Sequence, residues 1–143
     1  MMLSDAELER YARHIILREI GGAGQARLTE AHIAIVGLGG IGSPALQYLA
    51  GAGIGRLTLI DNGDVEASNL QRQTIYTERD IGHGKAVIAR GWLADFDRGL
   101  EVDISDAKIE PGNARAMIDG AELVIDGTDN FATRLAVSDA CVA

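Results

Sequence analysis

The chain has 143 residues, 47% of them apolar, with a formal net charge of −8 and a single cysteine. This length and apolar content suit one soluble globular domain with its own core. The acidic balance disfavours a nucleic-acid-binding surface, and the lone Cys141 leaves no partner for an internal disulfide or for a zinc site of several thiolates. There is no apolar run long enough for a membrane span and no secretory signal, so we expect a cytoplasmic protein.

The first thirty residues are predicted to be helical. Ser4 and Glu7 have the spacing of a capping box at a helix start, and apolar residues follow at helical intervals through residue 16. A glycine run over residues 21–24 is predicted to end this amphipathic helix. A short helical segment over residues 25–30 then leads to the next element.

A strand, a glycine-rich turn and a helix follow in succession. Residues 32–36 are short, apolar and β-branched, which is typical of a buried strand. The turn IVGLGGIGSP, residues 35–44, comes next, and Pro44 suits the first turn of a helix. Such a turn offers free backbone N–H groups and a helix dipole to a phosphate, which both NAD and ATP can supply. The turn therefore predicts a phosphate site without identifying the nucleotide.

The rest of the chain alternates strands with helices. We predict strands over residues 56–60, 102–104 and 123–125, and helices over residues 85–96, 113–118 and from 131 onward. This alternation predicts a Rossmann-like α/β fold, with a mainly parallel sheet and helices on both faces. Because ligands bind beyond the carboxyl ends of such strands, we expect the glycine turn, Asp61 and residues 126–130 to meet at one edge.

The residues at this edge favour ATP over NAD. Asp61 suits the ribose of either nucleotide. Arg72 and Lys85 add positive charge, which a triphosphate attacked at its α-phosphorus needs more than the pyrophosphate of NAD does. Asp129 supplies a carboxylate of the kind that Mg²⁺ prefers. A nicotinamide-dependent oxidoreductase and a non-catalytic nucleotide-binding fragment remain as alternatives.

Several motifs together resemble the ThiF, MoeB and HesA group of ubiquitin-activating-enzyme-like adenylyltransferases. They are RYARHIIL, GLGGIG, LTLIDNGDVEASNLQRQ, GHGK and GTDN, and they extend over essentially the whole chain. The resemblance implies an N-terminal helical segment over residues 1–30 and an ATP-binding Rossmann-like domain over residues 31–143. It also implies ATP-dependent adenylation of the C-terminal glycine of a ubiquitin-like sulfur carrier ending in Gly-Gly, for molybdopterin, thiamine or related biosynthesis.

The resemblance assigns roles to individual residues. It implies that Asp61 binds the ribose, that Asp129 holds Mg²⁺, and that Arg13 reaches the γ-phosphate bound by the other subunit of a homodimer. The catalytic residues it implies are Arg13, Arg72, Lys85 and Asp129. The nucleotide-binding residues it implies are Gly37, Gly39, Gly40, Gly42, Asp61, Ser68, Asn69, Leu70, Gln71, Arg72, Lys85, Asp129 and Asn130.

The chain departs from the family pattern in two ways. Gly84 stands where the family often has proline. Family members also run on past the GTDN helix, with further strands, a loop that clasps the carrier and commonly two Cys-x-x-Cys pairs for structural zinc. These features are absent from the 143 residues. We therefore expect an N-terminal fragment whose fold is incomplete relative to the family and which has little activity alone.

Overall fold

The computed structural model describes residues 2–143, so Met1 of the predicted N-terminal segment lies outside the described residues. The strands are β1 (His32–Val36), β2 (Arg56–Ile60), β3 (Glu101–Ser105) and β4 (Leu123–Asp126). The helices are α1 (Asp5–Arg10), α2 (Ala12–Ile15), α3 (Gly21–Glu30), α4 (Gly42–Ala52), α5 (Lys85–Phe96), α6 (Ala114–Met117) and α7 (Phe131–Val142). Two 3₁₀ turns, Ala67–Asn69 and Glu78–Asp80, lie between β2 and α5. Among residues 2–143, no helix is both long enough and apolar enough to cross a bilayer.

The four strands form one parallel sheet in the order β3-β2-β1-β4. The chain runs outward from β1 to β3 and then crosses back to place β4 on the other side of β1. In register, Val36 at the end of β1 lies opposite Ile60 on one side and Asp126 on the other. The order of strands therefore reverses between β1 and β4, which is where a ligand site is expected in this architecture.

Helices cover both faces of the sheet, as the sequence predicts. Every residue of β1 is buried, and alternate residues point to opposite faces. Ile33 and Ile35 join a large apolar cluster with residues of α4 and α5. Ala34 and Val36 join a second cluster with residues of α6 and α7. The Rossmann-like α/β prediction is confirmed.

The N-terminal helix prediction is wrong in its boundaries. The capping box does form, because the Ser4 N–H donates to Glu7 Oε2 at 2.7 Å and the Glu7 N–H donates to Ser4 Oγ at 3.3 Å. The predicted single helix, however, divides into α1 and α2, and the glycine run begins α3 instead of ending a helix. A tertiary contact holds α3: the fully buried Gln25 contacts His14 Nδ1 at 2.9 Å and donates to the Ala52 carbonyl at 3.1 Å.

Candidate active site

A cavity of about 630 Å³ opens at the carboxyl edge of the sheet, and residues that follow all four strands line it. This volume is typical of small-molecule sites. The segments after β1 and β2 contribute Gly37, Gly39, Gly40, Ile41, Asp61, Asn62 and Gly63, and those after β3 and β4 contribute Ala107, Lys108, Ile109 and Gly127 through Asn130. The polar stretch before α5 adds Glu66, Ser68, Asn69, Arg72, Gln73 and Lys85, and α7 adds Thr133 and Arg134.

The glycine turn after β1 is pressed against the segment that follows β4. Gly37 has a φ of +87°, and a Cβ at this position would lie 2.9 Å from the carbonyl carbon of Gly127. A Cβ at Gly42 would lie 1.7 Å from the Gly37 carbonyl oxygen, so both positions require glycine. Within residues 2–143, the backbone N–H groups of Gly39, Gly40 and Ile41 have no protein acceptor. The turn therefore presents free donors at the start of α4, an arrangement that suits an anion.

Asp61 binds the glycine turn directly. Its Oδ2 accepts the Leu38 N–H at 2.7 Å, and its Oδ1 accepts the Gly63 N–H at 2.6 Å. The Tyr76 hydroxyl donates to the Leu38 carbonyl at 2.7 Å, so the backbone N–H and the backbone carbonyl of Leu38 are both bonded. Burial raises the pKa of the Tyr76 phenol, which keeps it a neutral donor. Each carboxylate oxygen of Asp61 has a further lone pair, and these can accept a ligand hydroxyl.

Arg72 and Lys85 bring positive charge to the glycine turn. Arg72 donates from Nη1 to the Ser68 carbonyl at 3.1 Å, and a Cβ at Gly40 would lie 3.5 Å from its Nε. Lys85 is half-buried at the start of α5, where its backbone N–H donates to the Gly63 carbonyl at 3.0 Å. In the described part of the chain neither side chain forms an ion pair. Both cations are therefore available to an anionic ligand.

Hydrogen bonds at both ends order the segment between β4 and α7. Asp126 Oδ1 accepts the Thr128 N–H at 2.9 Å, and Asn130 Oδ1 caps α7 by accepting the Thr133 N–H at 2.9 Å. Asp129 lies between them, exposed on the cavity wall. Among residues 2–143 there is no cluster of three or more metal-ligating side chains. One free carboxylate suits a Mg²⁺ ion that takes its remaining ligands from nucleotide phosphates and water.

The structure brings most of the predicted site residues together and separates a few. Four of the predicted residues do not line the cavity. Gly42 packs beneath the turn, Leu70 packs against the core, Gln71 is exposed, and Arg13 is exposed on α2. The predicted residues that do line it are Gly37, Gly39, Gly40, Asp61, Ser68, Asn69, Arg72, Lys85, Asp129 and Asn130.

Sequence reasoning assigned no individual role to several polar residues that line the cavity. Lys108 and Arg134 line it, so both lysines of this acidic chain face one site. Lys108 follows β3 by three residues, and the rule that ligands bind beyond strand ends could have indicated it. Gln73 is 2% exposed, and its Oε1 is the one buried side-chain nitrogen or oxygen of residues 2–143 without a hydrogen-bond partner. Glu66 also lines the wall.

Comparison with known proteins finds relatives over nearly the whole chain. The ThiF family model matches residues 11–143. SAMP-activating enzyme E1 of Haloferax volcanii is 42% identical over 99% of this chain and 52% of its own length. Adenylyltransferase and sulfurtransferase MOCS3 of Anopheles gambiae is 43% identical over 98% of this chain and 32% of its own length. The chain thus spans about half, or less, of the curated relatives it matches.

A solved structure with bound nucleotide has the same fold. The crystal structure of Escherichia coli tRNA N6-threonylcarbamoyladenosine dehydratase, TcdA, in complex with ATP superimposes with a TM-score of 0.91 at 31% identity. The match covers 99% of this chain and 58% of that chain. This chain therefore has the architecture of a protein that binds ATP.

Proposed function

This chain belongs to the ThiF family, and on that premise we propose that its cavity binds ATP and forms the core of an adenylyltransferase site. The substrate is the C-terminal glycine carboxylate of a ubiquitin-like sulfur carrier. One observation underlies the proposal: the glycine turn, Arg72, Lys85 and Asp129 line the same cavity. The name of MOCS3 describes an adenylyltransferase, and TcdA was crystallised with ATP. Both support the same assignment.

The reaction needs charge stabilisation more than it needs a nucleophile from the protein. A carrier carboxylate oxygen attacks the α-phosphorus of ATP, the bond to the bridging α–β oxygen breaks, and pyrophosphate leaves with its electron pair. Free N–H groups of the glycine turn, Arg72 and Lys85 stabilise the negative charge that grows on the departing oxygens. Asp61 accepts a ribose hydroxyl. Asp129 would hold Mg²⁺, which would neutralise phosphate charge when bound.

The charges that line the cavity favour a triphosphate over NAD. Four cations line it, Arg72, Lys85, Lys108 and Arg134, against the three carboxylates of Asp61, Glu66 and Asp129. The residues that line the cavity thus carry a net positive charge, although the whole chain has a formal charge of −8. This local positive charge favours an anionic ligand. The relatives named above are also called activating or adenylylating enzymes, which supports ATP against the nicotinamide alternative.

A protein carboxylate is a better substrate for this chain than a tRNA. TcdA is named for a tRNA nucleoside, but it is 31% identical to this chain, whereas MOCS3 is 43% identical. Binding to a nucleic acid usually requires a basic surface, and the formal net charge of −8 disfavours one. We therefore assign the sulfur-carrier substrate, for use in molybdopterin, thiamine or related biosynthesis.

We also propose that the working form is a homodimer in which Arg13 completes the site of the other subunit. Arg13 is exposed and lies outside the cavity of its own chain. Nearby apolar side chains are also exposed, with Ile16 at 79% and Leu17 at 47%. An exposed apolar surface of this kind is typical of a contact with another chain. A symmetric dimer would use the surface twice and form two shared sites.

The experiment that tests the function is carrier-dependent exchange of labelled pyrophosphate into ATP. We expect a full-length protein that contains these residues to catalyse exchange with a carrier that ends in Gly-Gly and not with a carrier that lacks the terminal glycine. Asp129→Asn should lower the exchange rate by about 10² to 10³, as loss of one preorganised charge does elsewhere. Asp139→Asn, an exposed acid of α7 that lies outside the cavity, should leave the exchange rate unchanged. ATP binding without exchange, across a panel of carriers, would contradict the enzyme and favour the non-catalytic alternative.

A further inference from the structure

Arg134 holds the backbone of the segment that presents Asp129. Its guanidinium donates two hydrogen bonds to one acceptor, the Thr128 carbonyl oxygen, from Nε at 3.0 Å and from Nη2 at 2.7 Å. Its own backbone N–H donates to the Asn130 carbonyl at 3.2 Å, so the side chain reaches back from the first turn of α7. The side chain therefore joins α7 to the peptide unit immediately before Asp129.

This contact fixes the orientation of the peptide group that precedes Asp129. The Thr128 carbonyl and the Asp129 N–H belong to one planar peptide unit, so holding the carbonyl also holds the Asp129 nitrogen. Asp126 Oδ1 already accepts the Thr128 N–H at 2.9 Å, on the other side of the same residue. Only the torsions of Asp129 itself then remain to direct its carboxylate. In the described chain, Arg134 forms no ion pair, with Asp129 or any other acid.

We propose that Arg134 is a positioning residue, which holds the Thr128–Asp129 peptide so that the Asp129 carboxylate faces nucleotide-bound Mg²⁺. The inference rests on the proposed function, because it requires that Asp129 meets a metal brought by ATP. Arg134 also lines the cavity and keeps three guanidinium N–H groups beyond the two that bind Thr128. A direct contact from these groups to phosphate is the competing role, and the experiment separates the two.

The experiment measures ATP binding by calorimetry, with Mg²⁺ and with EDTA, in five variants of the protein. Arg134→Ala removes the contact, and Arg134→Lys keeps the charge but cannot donate two hydrogen bonds from one rigid plane. Arg90→Ala, an exposed arginine of α5 outside the cavity, is the matched control. Asp129→Asn, alone and combined with Arg134→Ala, tests whether the two residues act through each other.

We expect Arg134→Ala to raise the Mg²⁺ concentration that half-saturates ATP binding by about tenfold, as loss of a supporting residue behind a metal ligand does. Binding in EDTA should change by less than about twofold, since the metal is then absent. Arg134→Lys should behave like Arg134→Ala, and Arg134→Ala should have no further effect in the Asp129→Asn background. Because Arg134→Lys retains the charge and most of the side chain, it also serves if Arg134→Ala folds poorly.

Four results would overturn the inference. Equal weakening with Mg²⁺ and with EDTA, or full recovery by Arg134→Lys, would indicate that the charge acts directly on phosphate. An effect that persists in the Asp129→Asn background would show that Arg134 does not act through Asp129. If the wild-type protein fails to bind ATP, the proposed function itself is wrong. If the wild-type protein binds ATP normally and Arg134→Ala matches it under both conditions, only the present inference fails.

Discussion

The Asp61 carboxylate holds the glycine turn in place, because its Oδ2 accepts the Leu38 N–H at 2.7 Å while the Tyr76 hydroxyl donates to the Leu38 carbonyl at 2.7 Å. Asp61 and Tyr76 thus fix both backbone polar groups of Leu38 in the glycine turn. Asp61, the proposed ribose ligand, therefore also stabilises the glycine turn. Substitutions at this contact should therefore change both stability and ATP binding.

Asp61→Asn should lower the free energy of unfolding by about 1–3 kcal/mol, since an amide cannot accept with both atoms and one backbone N–H is left unpaired. It should also weaken ATP binding by loss of the ribose acceptor. Urea unfolding and calorimetric titration with ATP measure the two effects. Asp64→Asn, an exposed neighbour in the same loop, is the control and should match wild type. Weaker ATP binding at unchanged stability would contradict the structural role.

Tyr76→Phe should lower the free energy of unfolding at neutral pH by about 1–2 kcal/mol, because the buried Leu38 carbonyl loses its donor. Tyr48→Phe, at an 81% exposed tyrosine, should change little at that pH.

The pH dependence of the same variant gives a second test. Burial raises the pKa of Tyr76 in the folded protein above its unfolded value of about 10. Its contribution to stability is thus complete below pH of about 10 and is lost as pH rises through the folded pKa. The difference in stability between wild type and Tyr76→Phe should therefore shrink above that pH. A constant difference between pH 9 and 11, measured by urea unfolding, would count against the buried neutral phenol.

Gly42→Ala should destabilise the protein by about 3 kcal/mol, because the new methyl group would overlap the Gly37 carbonyl oxygen and force the turn to shift. Gly51→Ala is the matched control in the same helix, since nothing lies within 4 Å of a Cβ there. That change should stabilise α4 by about 0.5–1 kcal/mol through helix propensity. Thermal or urea unfolding of the two variants measures the contrast. Equal effects at the two sites would show that the turn tolerates a side chain.

In a full-length protein that contains these residues, Arg13→Ala and Asp129→Ala should each lose activity, and mixing the two inactive proteins should restore part of it. If Arg13 acts in the site of the other subunit, each mixed dimer combines one wild-type Arg13 with one wild-type Asp129. The measurement is pyrophosphate exchange after incubation that lets subunits exchange, with mixed dimers verified by native mass. Mixed dimers without recovered activity would rule out a shared site.

The sequence alone determined the strands of the sheet, because each strand is a short run whose residue types strongly favour β-structure. His32–Val36 and Arg56–Ile60 are apolar, β-branched and bounded by turn residues, and the structure has both strands at the predicted bounds. The glycine turn and Asp61 were placed by the rule that ligands bind beyond parallel strand ends, which requires only the order of the elements. Local chemistry also determined the capping box at Ser4.

Tertiary structure decided what local propensity could not. The glycine run over residues 21–24 reads as a helix end, yet α3 includes it because burial of Gln25 against His14 and Ala52 offsets poor helix propensity. Arg134 reads as a surface charge of α7, and only the path of the chain after β4 brings it to the Thr128 carbonyl. Such contacts depend on which residues lie close together in the folded chain. A pattern of residue types along the sequence does not contain that information.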